Sequence, residues 1–177
     1  MLSPRISATL LSIALLAGCQ GTLRATANRA ELEALHHILE VFRISIIKKD
    51  KAAFVDLFFS DKPEGVTWQA VVDDASLATI KSTRPEAIKA RHRPDNNFVA
   101  FIDGILASKD TSEETFSDLH IDTDGEVASV SFDYVYLLNS KPTNSGREKW
   151  LLVRTERGWK IVSVVYTIRL PRPASGA

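Results

Sequence analysis

The chain has 177 residues, one cysteine, and 22 Lys and Arg against 22 Asp and Glu. This length fits one domain, and a composition that is 45% hydrophobic and 25% charged is typical of a globular protein, which excludes disordered and fibrous classes. The balanced charge argues against a nucleic-acid partner, because phosphate binding needs an excess of clustered Lys and Arg. A single cysteine excludes an intrachain disulfide and a cysteine-based zinc site.

Residues 1–18 are typical of an export signal. Arg5 is the only basic side chain before an uncharged run over 6–17, which is too short for the ~20 residues of a membrane-spanning helix. Residues 16–19 read Leu-Ala-Gly-Cys. This string resembles the lipobox of bacterial lipoproteins, and the resemblance implies that the Cys19 thiol carries a diacylglycerol and becomes the new N-terminus. The alternative is an ordinary signal peptide followed by an incidental cysteine.

The lipobox resemblance implies a location and an organisation. Two or more acyl chains anchor a protein stably, whereas one chain does so only marginally. Gln20 stands where lipoproteins retained at the inner membrane tend to carry Asp, so the resemblance favours the outer membrane, with the domain facing the periplasm. The predicted segments are a signal peptide, a tether, one folded domain and a tail, over residues 1–18, 19–28, 29–170 and 171–177.

The first half of the domain is predicted to be mainly helical. Apolar residues recur every three or four positions between residues 29 and 49, as on one face of a helix, and Asp50 is placed to cap a second helix. A strand is expected over 66–72. Residues 73–95 are expected to form a long loop with a short helical piece. A further helix is predicted over 94–108, with its proline at the start.

The second half changes to strand periodicity. Strands are predicted over residues 114–121, 127–138, 147–155 and 159–170. Asp124-Gly125 favours a tight hairpin turn, and a polar loop is expected over 139–146. In the strand over 127–138 the even-numbered residues are apolar or aromatic, so that face is expected to be buried. Helices followed by strands predict an α+β domain, with N-terminal helices packed on a strongly curved antiparallel sheet.

Four strings in this half resemble the nuclear transport factor 2-like superfamily, which includes ketosteroid isomerases, scytalone dehydratases and SnoaL-like polyketide cyclases. They are residues 122–128 at the hairpin, 132–134 and 148–153 in the next two strands, and 158–163 at the last strand. The resemblance spans about residues 30–170. It implies a cystatin-like cone, in which helices close over a bent sheet and leave a ligand pocket at the wide end.

The resemblance also implies where an isomerase would carry its chemistry. In that branch a carboxylate removes a proton next to a carbonyl, while a tyrosine and a protonated aspartic acid hold the oxyanion. Residues 29–60 contain no tyrosine, which departs from the pattern. Asp103 lies on a predicted apolar helix and is a candidate for the pocket. Asp133 shares the parity of Ser129 and Ser131 in its strand, and is expected on the outer face.

In the dehydratase and cyclase branches, a His–Asp pair performs the acid–base chemistry. His36 borders the apolar stripe of the first helix, and His92 lies in the long loop; either could pair with Asp103. His120 lies among acidic residues of a strand and is expected to be solvated. The sequence shows no metal-ligand spacing, phosphate-binding loop or dinucleotide fingerprint, so neither a metal nor a cofactor is predicted.

Three functions are compatible with these patterns. The leading hypothesis is a lipid-anchored periplasmic domain that binds a small apolar ligand or another protein without catalysis. The second is a lyase- or isomerase-type enzyme that uses Asp103 with His36 or His92. The third is a structural envelope protein that forms a homodimer through the outer face of its sheet. The candidate pocket residues, which could also be ordinary core aromatics, are Trp68, Phe101, Tyr134, Tyr136, Trp150 and Tyr166.

Overall fold

The computed structural model describes the backbone of residues 14–171 and the side chains of residues 29–171. Most of the predicted signal peptide and the residues after 171 lie outside the described residues. The side chains of Cys19 and of the other predicted tether residues lie outside them as well. Within the part that the structure describes, no helix is both long enough and apolar enough to cross a membrane.

The described chain contains four α-helices, one short 3₁₀ helix and five strands. The α-helices are α1 (Ala14–Lys48), α2 (Lys51–Asp56), α3 (Asp74–Lys81) and α4 (Phe98–Ala107), and the 3₁₀ helix is Pro63–Gly65. The strands are β1 (Thr67–Val72), β2 (Ser112–Thr123), β3 (Val127–Leu138), β4 (Lys141–Thr155) and β5 (Gly158–Ile168).

The five strands form one sheet in the order β1-β5-β4-β3-β2. Strands β2 to β5 pair antiparallel with their neighbours, whereas β1 pairs parallel with β5. The predicted α+β class is confirmed, and the sheet is mixed because β1, the strand from the helical half, joins the last strand of the chain.

The apolar stripe of α1 packs on the sheet as its spacing predicts. Leu35, Leu39, Phe42 and Ile46 are buried. Lys49 adopts a left-handed φ of 56° and ends the helix. Asp50 then caps α2, since its carboxylate accepts a hydrogen bond of 3.0 Å from the backbone N–H of Ala53.

One helix prediction is confirmed and one needs correction. The short helical piece expected within residues 73–95 is α3, which Asp73 caps by accepting a hydrogen bond from the backbone N–H of Ser76. Helix α4 begins at Phe98 and not at Pro94, since the Asn97 side chain accepts the capping hydrogen bond from the N–H of Ala100.

The predicted polar loop over 139–146 is mostly strand. Asn139 and Ser140 have φ values of 49° and 63° and form a two-residue turn by themselves, a conformation that asparagine tolerates well. Strand β4 therefore begins at Lys141 and pairs with β3 from its first residue, Lys141 opposite Leu138. This early start places Asn144 and Gly146 within the sheet.

Candidate functional site

A cavity of about 420 Å³ lies between the helices and the sheet. Its lining comes from α1, α4 and all five strands, and is mostly apolar or aromatic. The lining residues are Phe42, Trp68, Phe101, Gly104, Ile105, Ser108, Ser112, Glu114, Tyr134, Tyr136, Leu138, Asn144, Glu148, Tyr166 and Ile168.

Aromatic rings form two walls of this cavity. Trp68 of β1 and Tyr166 of β5 meet edge to face, with ring centroids 5.7 Å apart. Phe101 of α4 and Tyr136 of β3 meet in the same way at 6.0 Å. Such arrangements match the quadrupoles of the rings. With Tyr134, five of the six aromatic residues predicted for the pocket line the cavity.

Trp150 is the exception among the predicted pocket residues. It is only 1% exposed and packs between Phe42 and Phe132, with ring centroids 4.8 and 5.0 Å away. Its indole N–H donates a hydrogen bond of 2.6 Å to Oε2 of Glu148. Trp150 therefore belongs to the core and fixes a polar residue of the cavity wall.

Two buried glutamates are the main polar groups of the cavity. Glu114 of β2 is 3% exposed and pairs across the sheet with Tyr136, while Glu148 of β4 is 4% exposed and lies opposite Tyr166. Oε1 of Glu114 has no hydrogen-bond partner among the described residues. Carboxylates are rarely buried without a cation, so this pair is an unusual feature of the wall.

Burial controls the ionisation of both carboxyls. It raises the pKa of Glu148 to about 7, and the hydrogen bond from Trp150 offsets part of that rise. Burial, together with the nearby charge of Glu148, raises the pKa of Glu114 well above its usual value. The pair therefore holds at least one proton at neutral pH, and Glu114 presents a neutral carboxyl that can donate or accept a hydrogen bond.

Tyr134 is a fixed hydroxyl beside the carboxyls. Its oxygen lies 2.9 Å from both Oδ1 of Asn144 and the backbone carbonyl oxygen of Thr167. Burial raises its pKa above the usual range, with a further contribution from the charge of Glu148. The hydroxyl stays neutral at physiological pH. Gly146 makes the contact possible, since a Cβ there would overlap the Thr167 carbonyl.

The predicted His–Asp pair does not come together. Asp103 points away from the cavity, with its side chain 50% exposed and Oδ1 2.6 Å from Nζ of Lys51. His36 is exposed on α1, and His92 is exposed at a separate cleft beside the 3₁₀ helix. The hypothesis that these three residues form an acid–base site is therefore wrong, because each lies on the outer surface.

The remaining acidic candidates are also at the surface. Asp133 lies 3.2 Å from Nη1 of Arg147, which also contacts Asp118 at 2.8 Å. His120 is exposed, with Nδ1 2.9 Å from the carbonyl oxygen of Asp118. Among the residues that the structure describes, no group of three or more His, Cys, Asp or Glu could hold a metal ion.

Comparison with known proteins gives the fold. No protein-family profile and no curated protein match the chain. A candidate dehydratase of the NTF2-like family from Streptomyces avermitilis superposes with a TM-score of 0.58 at 13% identity, covering 81% of this chain and 99% of that one. A candidate scytalone dehydratase from Novosphingobium aromaticivorans gives 0.57 at 14% identity, covering 86% and 99%.

A third similar structure is that of an NTF2-like protein with a cystatin-like fold from Novosphingobium aromaticivorans. It superposes with a TM-score of 0.56 at 13% identity, and the match covers 94% of each chain. The present chain is similar to these proteins across nearly all of its described residues. It therefore has the NTF2-like, cystatin-like fold that its hairpin and strand strings resemble.

Proposed function

We propose that this chain is a lipid-anchored domain of the bacterial envelope, whose cavity binds a small, largely apolar molecule through a few polar contacts. A cavity of about 420 Å³ with aromatic walls and a small number of placed polar groups is typical of a ligand site. The observation that carries the proposal is that the buried Oε1 of Glu114 has no hydrogen-bond partner within the described part of the chain. Leaving such a buried atom without a hydrogen bond costs about 1–3 kcal/mol, which a ligand with a polar group recovers.

Blocking the cavity tests ligand binding. Gly104 lines the cavity, and a Cβ at this position meets nothing within 4 Å. We expect Gly104→Phe to fold normally and to weaken binding of aromatic compounds at least tenfold, because its ring competes for the same space. Ligand-observed NMR with a panel of small aromatic compounds measures this. The control is Ala107→Phe, an exposed position on the same helix that does not line the cavity.

Two results would contradict ligand binding in this cavity. One is a panel in which no compound binds the wild-type protein. The other is equal binding by Gly104→Phe and wild type, which would place the bound compounds elsewhere.

The envelope location rests on the sequence alone. If Cys19 carries lipid, Cys19→Ser expressed in a Gram-negative host will move from the membrane fraction to the soluble fraction, because one residue provides the whole anchor. Fractionation and incorporation of labelled palmitate measure this. A Cys19→Ser protein that stays in the membrane fraction would contradict lipid anchoring.

A second candidate function is acid–base catalysis of lyase or isomerase type by the two glutamates. Its specific support is the pKa of Glu148, about 7, since a general base works best with a pKa near the operating pH. Glu114, kept protonated by burial, would donate the proton. Turnover that Glu148→Gln abolishes without affecting ligand affinity would establish catalysis in place of simple binding.

A homodimer is the remaining partner proposal. Val127, Leu151 and Val165 are 54%, 53% and 38% exposed, and they lie on neighbouring strands at positions that alternate with buried residues. Exposed apolar side chains on one sheet face favour association with a second copy. Sedimentation velocity measures the oligomeric state, and a monomer at micromolar concentration would contradict the dimer.

A further inference from the structure

We infer that the cavity selects organic cations, such as a quaternary or protonated amine, over neutral molecules of the same shape. This inference rests on the proposed ligand-binding function and names the ligand class for that site. Its starting point is the joint occurrence of two buried carboxyls and several aromatic rings around one cavity.

The cavity holds two carboxyls that have no cationic partner among the described residues. Its lining contains two glutamates and no lysine, arginine or histidine. No ion pair joins Glu114 or Glu148 to a cation within the described residues. Buried carboxylates elsewhere are usually paired with a cation. A positively charged ligand would supply the missing partner.

The charged and titratable groups around the glutamates do not supply it instead. Lys49, at the end of α1, donates its hydrogen bond of 2.6 Å to the Ser108 carbonyl. Arg169, beyond β5, is close enough to lower the pKa of Tyr134, but burial outweighs it there. The other titratable groups facing the pair are Tyr134, Tyr136 and Tyr166, whose pKa values burial raises, so they stay neutral.

The aromatic walls provide the second half of a cation site. Trp68, Phe101, Tyr136 and Tyr166 line the same cavity as the carboxyls. A ring face attracts a cation within about 6 Å of its centroid, and the attraction is stronger where water is excluded. A neutral molecule packs against the same rings without this contribution. Rings and carboxyls therefore favour the same class of ligand.

Cation selection makes binding depend on pH. Without a ligand, burial keeps protons on the glutamates. A bound cation stabilises the ionised carboxylate, so binding releases a proton whenever the empty site is protonated. Affinity for a cation should then rise about tenfold per pH unit up to near pH 7, and level off once Glu148 is ionised in the empty site. Affinity for a neutral molecule should stay constant or fall.

A matched pair of probes tests this inference. Choline and 3,3-dimethylbutan-1-ol have the same shape and differ in one atom, a charged nitrogen in place of a carbon. We expect choline to bind the purified full-length protein at least tenfold more tightly at pH 8, and this preference to shrink at pH 5.5. Isothermal titration in buffers of different ionisation enthalpy measures affinity and proton release together, and chemical-shift mapping places the probe in the cavity.

A matched pair of variants assigns the effect to the cavity. Glu148→Gln should lower choline affinity at least tenfold at pH 8 and leave the alcohol within twofold. Glu126→Gln, an exposed position in the β2–β3 turn, should change neither. Urea denaturation checks that Glu148→Gln is folded.

The outcomes distinguish the two proposals. If aromatic compounds bind but choline shows no advantage over the alcohol, or no dependence on pH, the cation inference is overturned and ligand binding stands. If neither probe nor any aromatic compound binds, both are overturned.

Discussion

Replacing Glu148 with Gln will make the protein more stable at pH 8, by about 1–3 kcal/mol in the free energy of unfolding. Burial raises the pKa of this carboxyl from 4.5 to about 7. Ionising it inside the fold therefore costs about 3 kcal/mol more than in the unfolded chain. Glutamine has nearly the same shape and its oxygen can still accept the hydrogen bond from Trp150, but it carries no charge to bury.

The size of this stabilisation depends on pH. Because the folded protein holds the Glu148 proton more tightly than the unfolded chain does, the stabilising contribution of the protonated form is complete below about pH 4.5. It is lost as the pH rises through about 7. Glu114 acts in the same direction, since its pKa is also raised. Wild type and Glu148→Gln should therefore be similar in stability near pH 4 and diverge towards pH 8.

Urea denaturation at pH 4, 6 and 8 measures the difference. Glu126→Gln is the control, because it makes the same chemical change at an exposed position that does not line the cavity. If Glu148→Gln lowered stability at pH 8, the carboxylate would have to be ionised and well solvated in the native protein, contrary to its burial.

Gly146→Ala will destabilise the protein by about 3 kcal/mol, more than a typical surface substitution. Gly146 is buried in β4 opposite Tyr134. A Cβ at this position would overlap the carbonyl oxygen of Thr167 and lie 2.8 Å from both its carbonyl carbon and Oγ1. Because the nearest atoms belong to the backbone of the β5 end, the overlap is relieved only by moving that strand and breaking its contact with Tyr134.

Gly104→Ala is the matched control for this substitution. It adds the same methyl group in a helix where nothing lies within 4 Å, so stability should stay equal or rise by up to about 1 kcal/mol, through the better helix propensity of alanine. Thermal and urea unfolding compare the two variants. Equal stabilities for Gly146→Ala and wild type would show that β4 and β5 are more loosely packed than the structure shows.

Much of the fold is predictable from local patterns. The stripe from Leu35 to Ile46 gives α1, and the Asp124-Gly125 turn gives the β2–β3 hairpin. The alternation in β3 gives its buried face. These features depend on neighbours along the chain, which a sequence displays directly. The parallel pairing of β1 with β5 joins residues far apart in sequence, such as Thr67 and Ser163, and no local pattern specifies it.

The sequence predicts the aromatic residues of the cavity lining but not its two glutamates. Aromatic candidates such as Tyr136 and Tyr166 line it, but the sequence patterns do not point to Glu114 and Glu148, because a charged residue in a strand is ordinarily expected on the solvated face. One signal was present: Glu148 has the same parity as the buried Trp150 and Leu152. Only the strand register places it opposite Tyr166.

The acid–base candidates on the helices show the reverse error: they are expected in the cavity but lie on the surface. Asp103 and His36 lie close in sequence to buried residues of α4 and α1, yet a turn of 100° per residue carries them to the exposed side. Adjacency to an apolar stripe is therefore weaker evidence than membership of it.

The central claim is that Glu114 and Glu148 are buried polar residues in the lining of a ligand cavity. Side-chain ¹³C NMR titration of the glutamate carboxyls tests it most directly. We predict that Glu148 titrates near pH 7 and that Glu114 stays protonated well above the usual range for a glutamate. If both carboxyls titrated near pH 4.5, the ordinary value for a glutamate, they would be in contact with bulk water, and the cavity described above would not be the site proposed.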